Sequence, residues 1–236
     1  MPKSGQLIKF ESIQKPASKK KQIRQNAIRN IDGVKYFNRQ QIQLLRRTVR
    51  DQATVHSSRG NVTAIREWLA IDVLTATGLR VSELADLRCG DVLSGYGDSA
   101  IFVRHGKGSK SRTVQIPQSL KKHLKSFISW KRENSEPVGD DDFIFVGQRG
   151  PVSPQAIQQL VKKYLKQLNL YSPGKSVHSL RHSYAIEIYR TEKDLLAVKR
   201  QLGHSSLQST QIYADVTSED VQRQIKGLWV SPPIKN

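Results

Sequence analysis

Apolar residues recur at three- and four-residue intervals over much of the chain, which predicts helices. In YFNRQQIQLLRRTVRDQA, Ile42, Leu45 and Val49 hold that spacing, and Asn38 with Gln41 three residues on forms a capping-box arrangement. NVTAIREWLAIDVLTATGL repeats the grammar: Asn61 or Thr63 as cap, Ile65, Leu69 and Val73 on one stripe with Trp68 beside it, and Gly78 as terminator. The pattern then changes. AIFV and RTVQIP are β-rich and flank a Gly/Ser/Lys loop, predicting an antiparallel hairpin. Pro117 and Ser119 open a further helix, SLKKHLKSFISWKR, and FIFVGQRGPVS reads as a short strand followed by a turn. Ser153 caps the next helix, with Pro154 at its first position. Helical stretches at 179–190, 194–203 and, in two pieces, 206–226 complete the chain, and Leu180, Tyr184 and Ile188 supply a buried stripe in the first of these. The expected class is mainly α with a small antiparallel β-sheet, without internal repeats.

Residues 1–35 have the weakest apolar pattern and read as a basic, loosely ordered arm, with a short helical possibility at Ile23, Ala27 and Ile28. Charge sharpens that picture. The chain carries a net charge of +19, from 39 Lys and Arg against 20 Asp and Glu. Residues 1–66 alone hold 15 of the basic residues and 3 of the acidic ones. Such a balance points to a polyanionic partner, nucleic acid first. Lys19, Lys20 and Lys21 either decorate a solvated tail or lie along a phosphate backbone. No run is long and apolar enough to span a membrane, and no secretory leader is recognisable. A single cysteine, Cys89, excludes an internal disulfide and fits a reducing compartment, so a cytoplasmic, nucleoid-associated protein is expected. It reads as a small buried residue rather than a zinc ligand.

Candidate chemistry concentrates in four places. SVHSLRHSYAIEIYR gathers His178, Arg181 and His182 within about a turn at a helix start. A helix N-terminus already carries partial positive charge, so a guanidinium placed there calls for an anion. The two histidines at i and i+4 are compatible with a metal, but the sequence lacks the Glu of H-E-x-x-H; His182, a turn deeper, reads as a buried structural residue. In TGLRVSEL, Arg80 follows the helix-ending Gly78 and sits at a junction between packed helices. Its side chain forms either a structural salt bridge, to Glu83 or Asp86, or a second guanidinium aimed at the anion that Arg181 faces. GKGSKSR places Lys107, Lys110 and Arg112 on a flexible hairpin tip and is not a P-loop; taken alone it is a basic loop touching DNA nonspecifically. LGHSSLQSTQIYADV brings His204 and, nine residues on, Tyr213. Nothing resembles a nucleophile elbow, a Cys/His pair or an acidic Mg²⁺ cluster.

Together, and in this order, TGLRVSELADL, GKGSKSRTVQIP, HSLRHSYA, LGHSSLQST and IYADV resemble the tyrosine recombinase family, the integrase-like and Xer-type enzymes. The resemblance spans residues 36–226 and implies that family's catalytic-domain fold, with 227–236 as a C-terminal tail packing in cis or in trans. It implies that Arg80 and Arg181 clamp a scissile phosphate, that Lys107 is the general acid, and that His178 and His204 complete the charge around it. Tyr213 would be the nucleophile and Glu83 the acidic neighbour of the first arginine, with His182 behind the site and Lys110 and Arg112 toward DNA. The implied reaction breaks and rejoins duplex DNA at paired recognition sites through a 3′-phosphotyrosine, on a tetramer, without metal, cofactor or ATP. Relaxation of supercoils by a type IB topoisomerase, or DNA binding without catalysis, are the alternatives. About 35 residues precede the matching region, too few for the helical core-binding domain that family members commonly carry; the expectation is either a catalytic-domain-only member, resembling the fimbrial-switch invertases, or a basic arm that does the clamping.

Overall fold

The computed structural model describes residues 34–57, 62–93, 95, 97–105 and 111–215. Lys19, Lys20, Lys21, Asn61, Lys107, Lys110 and everything expected beyond residue 215 lie outside the described residues.

Helix α1 (Arg39–Ser57) starts where the sequence places it. The Gln41 N–H donates to Asn38 Oδ1 at 2.9 Å, and the Asn38 N–H donates to Gln41 Oε1 at 3.0 Å, so two otherwise orphaned donors are satisfied reciprocally. The helix buries Leu45, Val49 and Ala53 and leaves Arg39, Arg47 and Arg50 toward solvent. Helix α2 (Val62–Thr77) is different: from Leu69 to Thr77 every residue is buried. It is apolar nearly all round because α1 and four further helices pack on it. The one charged residue of that stretch, Asp72, accepts from Arg46 of α1 and lies 2.8 Å from Nδ1 of His123, so the buried carboxylate is paired.

Gly78 ends α2 with a φ of +63°, in the left-handed region. A Cβ there would lie 2.4 Å from Cδ1 of Tyr184. Gly78→Ala therefore combines a left-handed penalty with a clash and is expected to cost at least about 2 kcal/mol. The midpoint of urea unfolding checks this; an unchanged midpoint would show that Tyr184 moves aside freely.

The chain turns through α3 (Val81–Ala85) and a 3-10 turn at Cys89–Asp91 into a three-stranded antiparallel meander. Strand β1 (Val92–Leu93) pairs with β2 (Ala100–Val103), which pairs with β3 (Arg112–Gln115). Ile101 faces Val92 on one side and Val114 on the other, so the inward face closes on the core. β1 has two residues and no alternation to betray it; the sequence predicts β2 and β3 alone. Helix α4 (Gln118–Glu133) buries Leu120, Leu124, Phe127 and Lys131 on one stripe, and the Lys131 ammonium donates to the Phe143 carbonyl at 2.7 Å. The expected strand near 145 is a small ladder, β4 (Val146–Gly147) with β5 (Gly150–Pro151). Helix α5 (Pro154–Gln167) begins as expected, with Ser153 Oγ accepting from the Ala156 N–H.

Helices α6 (Val177–Glu192), α7 (Leu195–Leu202) and α8 (Gln208–Asp215) end the described chain. The stripe expected on α6 is corrected: Leu180 is buried, but Tyr184 and Ile188 are half-buried. Arg181, Ala185 and Ile186 go inward instead. The reason is that α6 lies between α2 on one side and α7 with α8 on the other, so no single stripe serves both. The main core gathers α1 to α5 with the first turn of α6. A second cluster, Ala185, Ile186, Val198, Leu202 and Tyr213, fills the space beneath α6, α7 and α8. No described helix is long and apolar enough to cross a membrane.

Candidate active site

Two helix ends converge on one guanidinium. Arg181, on the second turn of α6, is 7% exposed. Its Nη1 donates to the Gly78 carbonyl at 2.6 Å and its Nη2 to the Leu202 carbonyl at 2.7 Å. Those carbonyls stand at the C-terminal ends of α2 and α7, where backbone acceptors lack intrahelical partners and the helix carries partial negative charge. The anion that Arg181 calls for near a helix start is thus supplied in part by two other helices. Burial, and then the charge of Arg80, pull its pKa down to about 10, so it stays cationic at neutral pH. Two of its five N–H donors are spent on these carbonyls.

Both helix ends use the same device. Gly203, with φ +66°, follows α7 as Gly78 follows α2. The His204 N–H returns to the Lys199 carbonyl at 3.1 Å and the Gly203 N–H to that of Arg200 at 3.2 Å, the Schellman pattern. The left-handed glycines turn the chain sharply, so that Arg80 after one and His204 after the other leave their helices toward the site.

Of the two roles that its sequence context left open, Arg80 forms the salt bridge. It pairs with Glu83, Nη1 to Oε1 at 2.7 Å, and its Nη2 stays 3.5 Å from the Gly203 carbonyl. Its charge also acts on Arg181, His204 and Tyr213. Glu83, whose side chain is 1% exposed, accepts more than Arg80. Arg112 grips both of its oxygens in a fork, at 2.8 and 2.9 Å. Burial works to raise the Glu83 pKa; the hydrogen bonds and charge of Arg112, with those of Arg80, outweigh it and hold the carboxyl at about 2.

Arg112 is the main correction among the expected positions. It does not sit on an exposed hairpin tip facing DNA. Its side chain is 12% exposed and points inward, and its Nε lies 3.3 Å from the Gln201 carbonyl. Gly203 makes room for it, because a Cβ there would come within 2.7 Å of Arg112 Cδ. Strand alternation carries the signal: Arg112 is two residues before the buried Val114 and shares its face.

Tyr213 lies on α8, 1% exposed, and belongs to the second core cluster. Its hydroxyl is 3.1 Å from Nδ1 of His182, and the two ring centroids are 5.8 Å apart. On its other side His204 stacks at 6.2 Å, with Nδ1 of that ring 3.0 Å from Oγ1 of the buried Thr210. Burial raises the phenol's pKa, while Arg181 and Arg80 pull it down. Burial, then Arg181 and Arg80, push His204 to about 4, so it is neutral at pH 7. His178 is exposed on the first turn of α6. The structure therefore brings together Arg80, Glu83, Arg181, His182, His204 and Tyr213, adds Arg112, and leaves His178 at the rim. Among the described residues no group of three or more His, Cys, Asp or Glu is placed to hold a metal.

Three guanidiniums around one carboxylate leave a surplus of two positive charges. Arg112 is consumed by Glu83 and Gln201, whereas Arg80 and Arg181 keep donors to offer. A phosphodiester brings one negative charge and its pentacoordinate transition state two, so this arrangement is suited to stabilise the latter more than the former.

This architecture recurs in solved structures of tyrosine recombinases. The fold matches XerA recombinase with a TM-score of 0.64 at 25% identity, over 84% of this chain and 66% of that one. It matches XerH recombinase bound to its difH substrate, in a post-cleavage complex, with a TM-score of 0.67 at 23% identity, over 84% and 54%. The fold class is that of the tyrosine recombinase catalytic domain. More specifically, the chain belongs to the phage integrase family, whose model matches residues 35–220. Tyrosine recombinase XerA of Pyrococcus horikoshii is 33% identical over 166 residues, 69% of this chain and 54% of the relative. Tyrosine recombinase XerD of Halalkalibacterium halodurans is 34% identical over 169 residues, 70% of this chain and 55% of the relative. The chain spans about half the length of the curated relatives it matches.

Proposed function

We propose that this protein is a site-specific DNA recombinase that cuts and rejoins strands through a 3′-phosphotyrosine. The observation that carries the reading is that Arg80, Arg181 and Tyr213, far apart in sequence, come close enough for both guanidinium charges to act on the phenol. Family membership and the basic charge support it.

In this reading Arg80 and Arg181 bind the non-bridging oxygens of the scissile phosphate, and Glu83, held by Arg112, orients Arg80. Tyr213 attacks in line and becomes esterified to the 3′ phosphate. The departing 5′ oxygen takes a proton from Lys107 on the loop between β2 and β3. His204 packs the phenol ring, and His178 adds charge at the rim. Because the phosphotyrosine keeps the energy of the broken bond, a 5′ hydroxyl from another strand can reverse the step without ATP. Lys110 and the arm lysines Lys19, Lys20 and Lys21 neutralise DNA backbone charge. The partner is duplex DNA with paired sites, bound by a homotetramer.

The test is trapping. A duplex nicked beside the cleavage point loses its 5′ fragment and cannot religate, so the enzyme accumulates as a covalent adduct. The expected result is an adduct whose modified peptide, by mass spectrometry, carries the nucleotide on Tyr213. No adduct on a panel of recombination sites, or one on another residue, would reject the reading.

A further inference from the structure

We propose that His182 is the general base that takes the phenolic proton of Tyr213. This rests on the reading of Tyr213 as nucleophile, and goes beyond it by assigning the proton transfer to His182, one turn along the helix from His178.

Geometry comes first. Nδ1 of His182 is 3.1 Å from the Tyr213 oxygen, within hydrogen-bond reach of the proton to be moved. No other group is hydrogen-bonded to that hydroxyl among the described residues. His178 is exposed and reaches the pair through its charge alone. The phenol has little water to help it, being 1% exposed. Ionising it there is costly unless the proton has an acceptor already in place. His182 is built to remain that acceptor. Burial lowers its pKa, and the charges of His178 and Arg181 on its own helix lower it further, so the ring is neutral and one nitrogen keeps a lone pair. The groups facing it from the neighbouring segments are Tyr213 and His204, and His204 is itself held neutral. Arg181 and Arg80 favour the phenolate once it forms.

The step balances within the site. As the bond from the Tyr213 oxygen to phosphorus forms, the phenolic proton passes to Nδ1 of His182. The bond from phosphorus to the 5′ oxygen breaks, and that oxygen keeps the electron pair and accepts a proton from Lys107. In the reverse step His182 returns its proton to the departing phenol. The productive tautomer carries its resting proton on Nε2.

The experiment measures adduct formation on the nicked duplex for the full chain and for His182→Gln. A general base contributes roughly 10²- to 10⁴-fold, so His182→Gln is expected to slow the adduct by that factor. Replacing Tyr213 by a fluorinated tyrosine, whose phenol ionises more readily, is expected to restore most of the rate in the His182→Gln background. A merely structural role for His182 would not respond to the acidity of the phenol. In parallel, His182→Ala opens a space that added imidazole can enter, and imidazole is expected to accelerate its adduct formation. A His182→Gln protein that cleaves at the wild-type rate would overturn the proposal. So would a slow one that the fluorinated phenol fails to rescue. If His182→Gln does not fold, absence of imidazole rescue in His182→Ala decides against it. A wild-type protein that forms an adduct on Tyr213 keeps the recombinase reading whatever these variants do; one that forms none removes both.

Discussion

Tyr213→Phe is expected to lower covalent adduct formation by about 10⁴-fold or more, because in the proposed reaction it deletes the atom that becomes bonded to phosphorus. Its cost to the fold is expected to be small. The ring that fills the cluster with Ala185, Ile186, Val198 and Leu202 is kept, and the lost hydrogen bond is worth about 1 kcal/mol. Gel-shift affinity for the same duplex should stay within a few fold. The pair of measurements separates chemistry from assembly: loss of the adduct with retained binding is the expected signature. A Phe variant that still forms the adduct would place the nucleophile elsewhere. Tyr213→Ala is the informative contrast, since emptying the ring's place adds a packing loss of about 3 to 5 kcal/mol to the chemical one.

Glu83→Gln has the second largest expected effect, and on stability first. One carboxylate pairs with two guanidiniums, and removing a partner from a buried ion pair costs about 3 to 5 kcal/mol. For a domain of this size that lowers the melting temperature by roughly 10 °C. Amide geometry cannot accept the fork of Arg112 on both sides, so Arg80 loses its support as well. Adduct formation is expected to fall about 10²-fold, the scale of a misplaced binding group. The pH dependence has a definite sign. The Glu83 carboxyl sits at about 2 in the folded protein, against an ordinary value of 4.5. Its contribution is therefore complete above about 4.5 and drains away as the pH falls toward 2. The stability gap between wild type and Glu83→Gln, read by urea unfolding, should be full at pH 7 and much narrower at pH 3. An equal gap at both would show that the carboxylate's charge is not what stabilises the cluster.

Local grammar made much of the fold readable in advance. Asn38 with Gln41, Ser153 with Pro154 and the glycine at 78 mark helix ends because their effects act within a turn of chain. The β2–β3 pair is visible for the same reason. What escaped depends on distant partners. β1 exists because β2 offers it an edge, and α6 lacks a simple stripe because two layers flank it. In the site, ordered motifs point to Arg80, Arg181, His204 and Tyr213, but not to what each touches. That Arg112 turns to Glu83 was half visible in its parity with Val114. That His182 rather than His178 meets the phenol was not visible, because it depends on how α8 returns across α6.

Arg181 joins three helices in addition to the phosphate-binding role proposed for it. Its two carbonyl partners tie the exit of α2 to the exit of α7 through the start of α6. Drift of any one of these would carry the charge off target and loosen the others. The anion seat is thus a keystone, and natural variation should find little freedom there. If the protein acts on DNA as proposed, altered target preference is expected to arise from substitutions on the outward surface, away from this inner joint.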